Sequence, residues 1–131
     1  MDWEPLIAAA TAARAHAYAP YSHFDVGAAL LMEDGSIHAA ANVENCIPTL
    51  AICAERNAMA GAASAGLRRP QAVVVIADMK PPAAPCGLCR QTLAEFARDL
   101  PDLPILLVNL QGDREETTLA ELLPRPFSLP G

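Results

Sequence analysis

The chain has 131 residues, of which 53% are apolar and 18% are charged, so we expect one domain over residues 1–131 and neither a disordered chain nor a membrane-spanning one. Its 9 basic residues against 15 acidic ones give a net charge of -6, the wrong sign for a protein that neutralises many nucleic-acid phosphates. The first residues lack the basic start and the long apolar run of a secretion signal. We therefore expect a cytoplasmic protein that binds neither a nucleic acid polymer nor a membrane.

The first half of the chain predicts one helix followed by two strands. Asp2 is placed to cap a helix that continues, through apolar residues at helical spacing, to a stop signal at Pro20. Residues 24–32 and 37–43 are rich in Val, Ala and Leu, and an Asp-Gly turn separates them. This pattern predicts a strand hairpin.

The second half of the chain alternates predicted helices with short apolar runs. Helices are predicted over 49–65, 86–98 and 119–123, and buried strands over 72–77 and 104–110. The charged residues from Asp113 to Glu116 are interpreted as a solvated turn. The resulting order, αββαβαβα, predicts an α/β fold of three layers in which helices cover a mixed central sheet.

The cysteines are the chemically most informative residues. Cys53 lies near the start of one predicted helix, and Cys86 and Cys89 lie at the start of the next. Helix N-termini carry a partial positive charge that stabilises thiolates, which is what a zinc ligand requires. Three thiolates would leave a fourth tetrahedral position for water, which is typical of catalytic zinc sites. Cys46 lies outside these segments and is interpreted as a packing residue.

Glu55 and two arginines complete the predicted site. Glu55 lies two residues after Cys53, close enough to approach metal-bound water without being a ligand, and is the predicted proton shuttle. Because zinc with three thiolates has a formal charge of -1, a cation is expected nearby, and Arg56 is the candidate. Arg90 is expected to pair either with the charge of the site or with a surface acid. Cys-x-Glu followed by Pro-Cys-x-x-Cys is the pattern of zinc deaminases.

Two other classes of protein use part of this pattern. A CxxC thiol oxidoreductase needs only two sulfurs and no metal, so Cys53 argues against it. A non-catalytic, zinc-stabilised interaction module needs a fourth protein ligand and has no use for Glu55. A zinc aminohydrolase for another amine-bearing heterocycle, such as a nucleoside of the blasticidin S type, stays open as an alternative.

Over nearly its whole length the chain resembles the short, homotetrameric type of cytidine deaminase. The matching segments, in the same order, are residues 19–29, 42–45, 53–56, 85–91 and 121–124. The resemblance implies zinc-dependent hydrolysis of cytidine and 2'-deoxycytidine to uridine and 2'-deoxyuridine with release of ammonia. It also implies that Arg56 hydrogen-bonds the ligand sulfurs and that four copies of the chain assemble.

The resemblance further implies contacts with a nucleoside. Phe24 is expected to pack on the pyrimidine, and Asn42 and Glu44 are expected to hydrogen-bond the ribose. Ala54 is assigned to the same substrate-binding set. Phe127 is expected to reach the pocket of a neighbouring subunit.

The chain departs from the family pattern between Asn45 and Cys53. Where the family usually has an aromatic residue, this chain has Pro48, preceded by Cys46 and Ile47. Two interpretations follow. The pocket has more room beside the exocyclic amine and accepts cytidines substituted on N4, or Cys46 and Ile47 compensate and the specificity is unchanged.

Overall fold

One mixed β-sheet with helices on both faces organises residues 1–130, the part of the chain that the computed structural model describes. The helices are α1 Glu4–Arg14, α2 Ala54–Ser64, α3 Gly87–Phe96 and α4 Leu119–Leu122, with a short 3-10 turn at Pro48–Leu50. The strands are β1 Val26–Met32, β2 Ile37–Ala41, β3 Pro70–Ala77, β4 Pro104–Asn109 and β5 Arg114–Thr118. Their order in the sheet is β2-β1-β3-β4-β5, in which only β3 and β4 are parallel.

Each face of the sheet has its own apolar core. Helix α1 covers one face, where Leu6 packs with Val74 of β3. Helices α2, α3 and α4 cover the other face, where Met59 and Leu93 pack with Val73 of β3. Strand β3 is therefore buried on both sides, as its unbroken apolar run predicts. The predicted three-layer α/β fold is confirmed.

Two predicted helix boundaries are wrong because the backbone is used in pairings that the local sequence does not reveal. Helix α1 ends at Arg14, since Tyr18 is drawn into an extended pairing with Val43. Helix α2 begins at Ala54 rather than at residue 49, since the N–H and C=O groups of Ile52 both pair with Val43 at 2.9 Å. Cys53 therefore lies at the helix N-terminus rather than one turn inside the helix.

The acidic segment predicted as a solvated turn is the edge strand β5. It pairs antiparallel with β4, and Glu116 accepts a 2.7 Å hydrogen bond from Trp3 Nε1. The sequence Arg-Glu-Glu-Thr-Thr contains no apolar residue, so no alternation of apolar and polar residues reveals this strand. Backbone pairing with β4, rather than burial, holds β5 in place.

None of the helices within residues 1–130 is long and apolar enough to cross a membrane.

Gly27 permits α1 to pack directly on β1. A Cβ at this position would collide with the carbonyl oxygen of Ala10 and lie 2.9 Å from Arg14 Cβ. We expect Gly27→Ala to lower the free energy of unfolding by about 1–3 kcal/mol, because the backbone of α1 must move away. Urea denaturation of both proteins measures this difference.

Gly61→Ala is the matched control for this prediction. Gly61 lies within α2, and nothing lies within 4 Å of an added Cβ. This substitution is expected to stabilise the protein by up to about 1 kcal/mol, since alanine is the better helix former. Equal stabilisation by both substitutions would show that α1 does not constrain position 27.

Candidate active site

Three free thiols converge where α2 and α3 begin. Cys53 is the N-cap residue of α2, Cys86 is the N-cap residue of α3, and Cys89 lies in the first turn of α3. Cys86 Sγ lies 3.6 Å from Cys53 Sγ and 3.5 Å from Cys89 Sγ, and all three sulfurs lie within 4.8 Å of one another. Neither N-cap thiol is used to cap its helix. All three sulfurs are therefore free to bind a common ligand.

The spacing of the sulfurs fits a tetrahedral metal ion. Zinc–sulfur bonds of about 2.3 Å place the sulfurs of a tetrahedral site about 3.8 Å apart. Two of the three pairs, at 3.5 and 3.6 Å, lie near that spacing. Among residues 1–130, no histidine or carboxylate joins the three sulfurs as a fourth ligand. Such a donor set suits a catalytic zinc site with an open position better than a closed structural site.

The thiols influence one another strongly. The Cys89 thiol, by hydrogen bonding, lowers the pKa of Cys53 to about 5, and Arg56 adds to this effect. The same interaction, together with burial, raises the pKa of Cys89. The cluster therefore releases its first proton easily, whereas further protons leave only when a cation compensates the charge.

Glu55 is a buried carboxyl group beside this cluster. It follows Ala54 in the first turn of α2, and its side chain is 4% exposed. Burial, with a smaller contribution from Cys53, raises the pKa of Glu55 above its ordinary value. A raised pKa brings a carboxyl group closer to the range in which a general acid–base catalyst works best.

The two arginines near the thiols have different partners. Arg56 Nη1 lies 3.5 Å from the carbonyl oxygen of Ala51, and its charge favours the Cys53 thiolate. Within residues 1–130, Arg90 pairs neither with the thiols nor with a surface acid, the two partners that we expected. Its guanidinium group donates instead to the carbonyl oxygens of Pro85 and Leu122, at 2.7 Å each.

Asn42 and Glu44 lie together and hold the segment before β1. The Asn42 amide donates to the carbonyl oxygen of Phe24 at 2.8 Å and accepts from the N–H of Val26 at 2.9 Å. The Glu44 carboxylate accepts hydrogen bonds from the backbone N–H groups of Tyr21 and Ser22 at 3.0 and 3.2 Å, and from the Ser22 hydroxyl. Sequence reasoning did not foresee these loop contacts, since they join residues far apart in the chain.

A short backbone pairing connects these residues to the thiols. Val43, which separates Asn42 from Glu44, exchanges two 2.9 Å hydrogen bonds with Ile52, the residue before Cys53. The structure thus brings the two predicted groups of site residues, the polar pair and the ligand cysteines, onto neighbouring backbone segments. Phe24, in the segment just before β1, is half-buried, and Ala54 is fully buried.

The substituted loop forms one wall of a cavity of about 420 Å³. The residues that line this cavity are Tyr21, Ser22, Glu44, Asn45, Cys46, Pro48 and Ala51. Cys46 is exposed, so its interpretation as a packing residue is wrong for this chain. Nothing in a local sequence pattern distinguishes an exposed cysteine from a buried one.

Phe127 lies on the C-terminal segment, is 71% exposed, and lines a cavity together with Ala94, Leu119 and Leu123. The Gln91 side chain holds its backbone at two points, accepting from the Phe127 N–H at 3.0 Å and donating to its carbonyl oxygen at 2.8 Å. The structure does not bring Phe127 to the thiols of its own chain. Gln91 is a further residue that sequence reasoning did not single out.

Glu44 gives the protein a predictable dependence on pH. The Ser22 hydroxyl, and after it the N–H groups of Ser22 and Tyr21, lower the pKa of Glu44 below its ordinary value of 4.5. Such a carboxylate stabilises the folded state above pH 4.5, and this contribution is lost as the pH falls through its lowered pKa. We expect Glu44→Gln to be less stable than the original chain at pH 7, with a difference that disappears in acid.

Chemical denaturation of both proteins over this pH range measures the difference directly. The two proteins share every titratable group except the one at position 44, so the contributions of the shared groups to the free energy of unfolding cancel in the difference. Glu115→Gln, on the exposed strand β5, is the matched control for removing one negative charge. A Glu44→Gln deficit that stays constant down to low pH would contradict the assignment.

The chain is similar to known proteins both in sequence and in structure. Residues 2–100 match the family described as cytidine and deoxycytidylate deaminase zinc-binding region. The chain is 52% identical to cytidine deaminase from Sporosarcina psychrophila over 98% of this chain and 93% of that protein, and 51% identical to cytidine deaminase from Halalkalibacterium halodurans over 98% and 96%. The crystal structure of cytidine deaminase from Burkholderia pseudomallei superposes with a TM-score of 0.91 at 46% identity, covering 97% of this chain and all of the other.

Proposed function

The chain belongs to the cytidine and deoxycytidylate deaminase family, and on that premise we propose that it hydrolyses cytidine and 2'-deoxycytidine to uridine and 2'-deoxyuridine with release of ammonia. It is a zinc-dependent hydrolase whose substrate is a small nucleoside. One observation carries the proposal: three free thiols within 4.8 Å at two helix N-termini, with the buried carboxyl group of Glu55 beside them.

The proposed mechanism gives each residue near the thiols a separate task. Cys53, Cys86 and Cys89 would hold zinc, which supplies a nucleophile at neutral pH by acidifying water. Glu55 takes one proton from the water and passes it to N3 of the pyrimidine as oxygen adds to C4. It then takes the remaining proton from the hydroxyl group on C4 and gives it to the amine, so that the C4–N bond breaks, the C4 carbonyl forms and ammonia leaves. Arg56 offsets the negative charge of the three thiolates.

The nucleoside contacts are part of the same proposal. Asn42 and Glu44 bind the ribose, and Phe24 packs on the pyrimidine. Their support is the Val43–Ile52 pairing, which joins the Asn42–Glu44 segment to the residue before Cys53. Ala54 contributes through its backbone, because its side chain is fully buried.

We also propose that the chain works as a homotetramer in which Phe127 reaches the site of a neighbouring copy. The exposed ring, held through its backbone by Gln91, supports this proposal, as do the exposed apolar side chains of Tyr18, Leu50 and Ile52 near the site. Light scattering measures the assembly. Phe127→Ala is expected to raise KM for cytidine, whereas a monomeric wild type with normal activity would contradict the proposal.

The substituted loop at Cys46, Ile47 and Pro48 carries the proposal that N4-substituted cytidines are accepted alongside cytidine. The cavity of about 420 Å³, lined by Tyr21 and by Pro48 at the position where the family usually has an aromatic residue, supports it. A panel of N4-methyl and N4-acyl cytidines, scored by the amine or amide released, tests it. If every member of the panel is inert while cytidine reacts, the loop is merely compensated and the specificity is unchanged.

Ammonia release on cytidine, coupled to zinc analysis of the same sample, tests the main proposal. We expect uridine and ammonia in equal amounts from a zinc-loaded protein. A zinc-loaded protein that releases ammonia from no nucleoside would instead indicate a non-catalytic module. Release from another amine-bearing heterocycle, but not from cytidine, would indicate a different aminohydrolase.

Domain organisation and location complete the proposal. We propose that residues 1–131 act as one domain, since β1 to β5 form a single sheet. A cytoplasmic location is supported by the three clustered thiols, which bind metal only where they stay reduced. The net charge of -6 supports a substrate other than a nucleic acid polymer.

A further inference from the structure

The segment 79–85, which we call the Cys86 arm, lies between β3 and α3 and directly precedes Cys86 of the thiol cluster. Three of its residues are prolines, at positions 81, 82 and 85, and these have no N–H group to donate. Within residues 1–130, the backbone of the arm makes a single hydrogen bond, from Arg90 Nε to the carbonyl oxygen of Pro85 at 2.7 Å. Lys80 adds only an exposed ion pair with Asp113 at 3.9 Å, a kind of contact that contributes little.

Arg90 bonds both the Cys86 arm and the end of α4. It lies in the first turn of α3, next to Cys89, and its backbone N–H bonds the carbonyl oxygen of Cys86 at 3.0 Å. The same guanidinium group donates to the carbonyl oxygen of Leu122, at the end of α4, at 2.7 Å. Helix ends leave such carbonyl oxygens without a partner in the helix, and the planar guanidinium group binds two acceptors in a fixed geometry.

The three thiols differ in how firmly the fold holds them. Cys89 is fully buried within α3, and Cys53 is fixed by the pairing of the preceding Ile52 with Val43. Cys86 is exposed, and the residue before it, Pro85, is buried and accepts a hydrogen bond from Arg90 at its carbonyl oxygen. The backbone position of Cys86 is therefore set by the packing of Pro85 together with its bond to Arg90.

We propose that Arg90 is a positioning residue for the metal centre, which acts by holding the carbonyl oxygen of Pro85 so that Cys86 stays within bonding range of the metal shared with Cys53 and Cys89. The inference rests on the proposed function only in taking that metal to be zinc. Loss of such an outer contact typically weakens metal binding by about 10–100-fold.

The experiment compares zinc affinity in Arg90→Met, Arg90→Lys and Arg98→Met, using competition of the zinc-loaded proteins with a chromophoric chelator. Arg90→Met is expected to bind zinc about 10–100-fold more weakly. The zinc affinity of Arg90→Lys is expected to lie between those of Arg90→Met and the original chain, because an ammonium group can reach one carbonyl oxygen but cannot bridge two. Arg98→Met is the matched control and should leave the affinity unchanged, because within residues 1–130 the Arg98 side chain bonds Glu95 alone.

Cobalt substitution gives a second measurement. The sulfur-to-cobalt absorption of Arg90→Met should weaken or shift, because Cys86 no longer sits in a fixed place, while the spectrum of Arg98→Met should match that of the original chain. A merely structural arginine would lower thermal stability without changing either metal measurement, and that result would overturn the proposal. If Arg90→Met does not fold, wild-type zinc affinity in Arg90→Lys overturns it equally.

The outcomes also separate this inference from the proposed function. Wild-type zinc affinity in both Arg90 variants, with normal ammonia release from cytidine, would remove the role of Arg90 and leave the deaminase intact. A wild-type chain that binds zinc but deaminates nothing would remove the deaminase, while the comparison of metal affinities would still hold.

Discussion

Glu55→Gln is expected to keep its zinc and lose about 10²–10⁴-fold in kcat for cytidine, the contribution that a positioned acid–base group typically makes. Glutamine has nearly the shape of the buried carboxyl group, so the first turn of α2 and the neighbouring thiols keep their packing. It cannot accept and return a proton, however, and the pyrimidine N3 and the leaving amine then lack their donor. Ammonia release at saturating cytidine, with zinc analysis of the same sample, measures both quantities.

Glu115→Gln, on the exposed strand β5, is the control for removing a carboxylate at a distance from the thiols. It should match the original chain in zinc content and in kcat. Near-normal kcat in zinc-loaded Glu55→Gln would exclude Glu55 from proton transfer and would assign its burial to packing alone.

Cys86→Ala is expected to abolish deamination and to weaken zinc binding. Loss of a residue that only contacts a ligand typically weakens metal binding by about 10–100-fold, and loss of the ligand itself should weaken it further. The fold should survive, because the Cys86 side chain is exposed and forms no cap on α3. Metal analysis after dialysis and the ammonia assay measure the two effects. Chelation of the original chain should produce the same loss of activity, and added zinc should reverse it.

Cys46→Ala is the matched control, since it removes another exposed thiol, one that is outside the cluster. It should keep both its zinc and its turnover of cytidine. Loss of zinc from Cys46→Ala, with retention in Cys86→Ala, would mean that the metal is held by a different set of sulfurs.

Those features of the fold that depend on local patterns could be predicted from the sequence. The apolar run of β3 predicted a strand buried on both faces, and α2 and α3 begin close enough to the predicted positions for the ligand cysteines to fall at helix starts. Strand β5 could not be predicted, because a segment of charged and hydroxyl residues becomes a strand only when β4 lies alongside. The early end of α1 has the same origin, since Tyr18 pairs with residues more than twenty positions away.

The site divides in a similar way. The spacing of Cys53, Cys86 and Cys89 predicted a zinc centre, and the convergence of their sulfurs agrees with it. The partners of Arg90 could not be predicted, because they are backbone carbonyl oxygens, one of them on α4, and a sequence carries no record of which carbonyl oxygens lack a partner. The exposure of Cys46 depends on the course of a loop that no pattern specifies.

The hydrogen bonds between Val43 and Ile52 close the chain between them into a loop whose two ends are fixed relative to each other. Residues 45–51 can therefore gain, lose or exchange side chains without changing the separation between the polar pair at 42 and 44 and the sulfur at 53. Substitutions at Cys46 and Pro48 can thus change the lining of the cavity beside Glu44 while Asn42, Glu44 and Cys53 keep their relative positions.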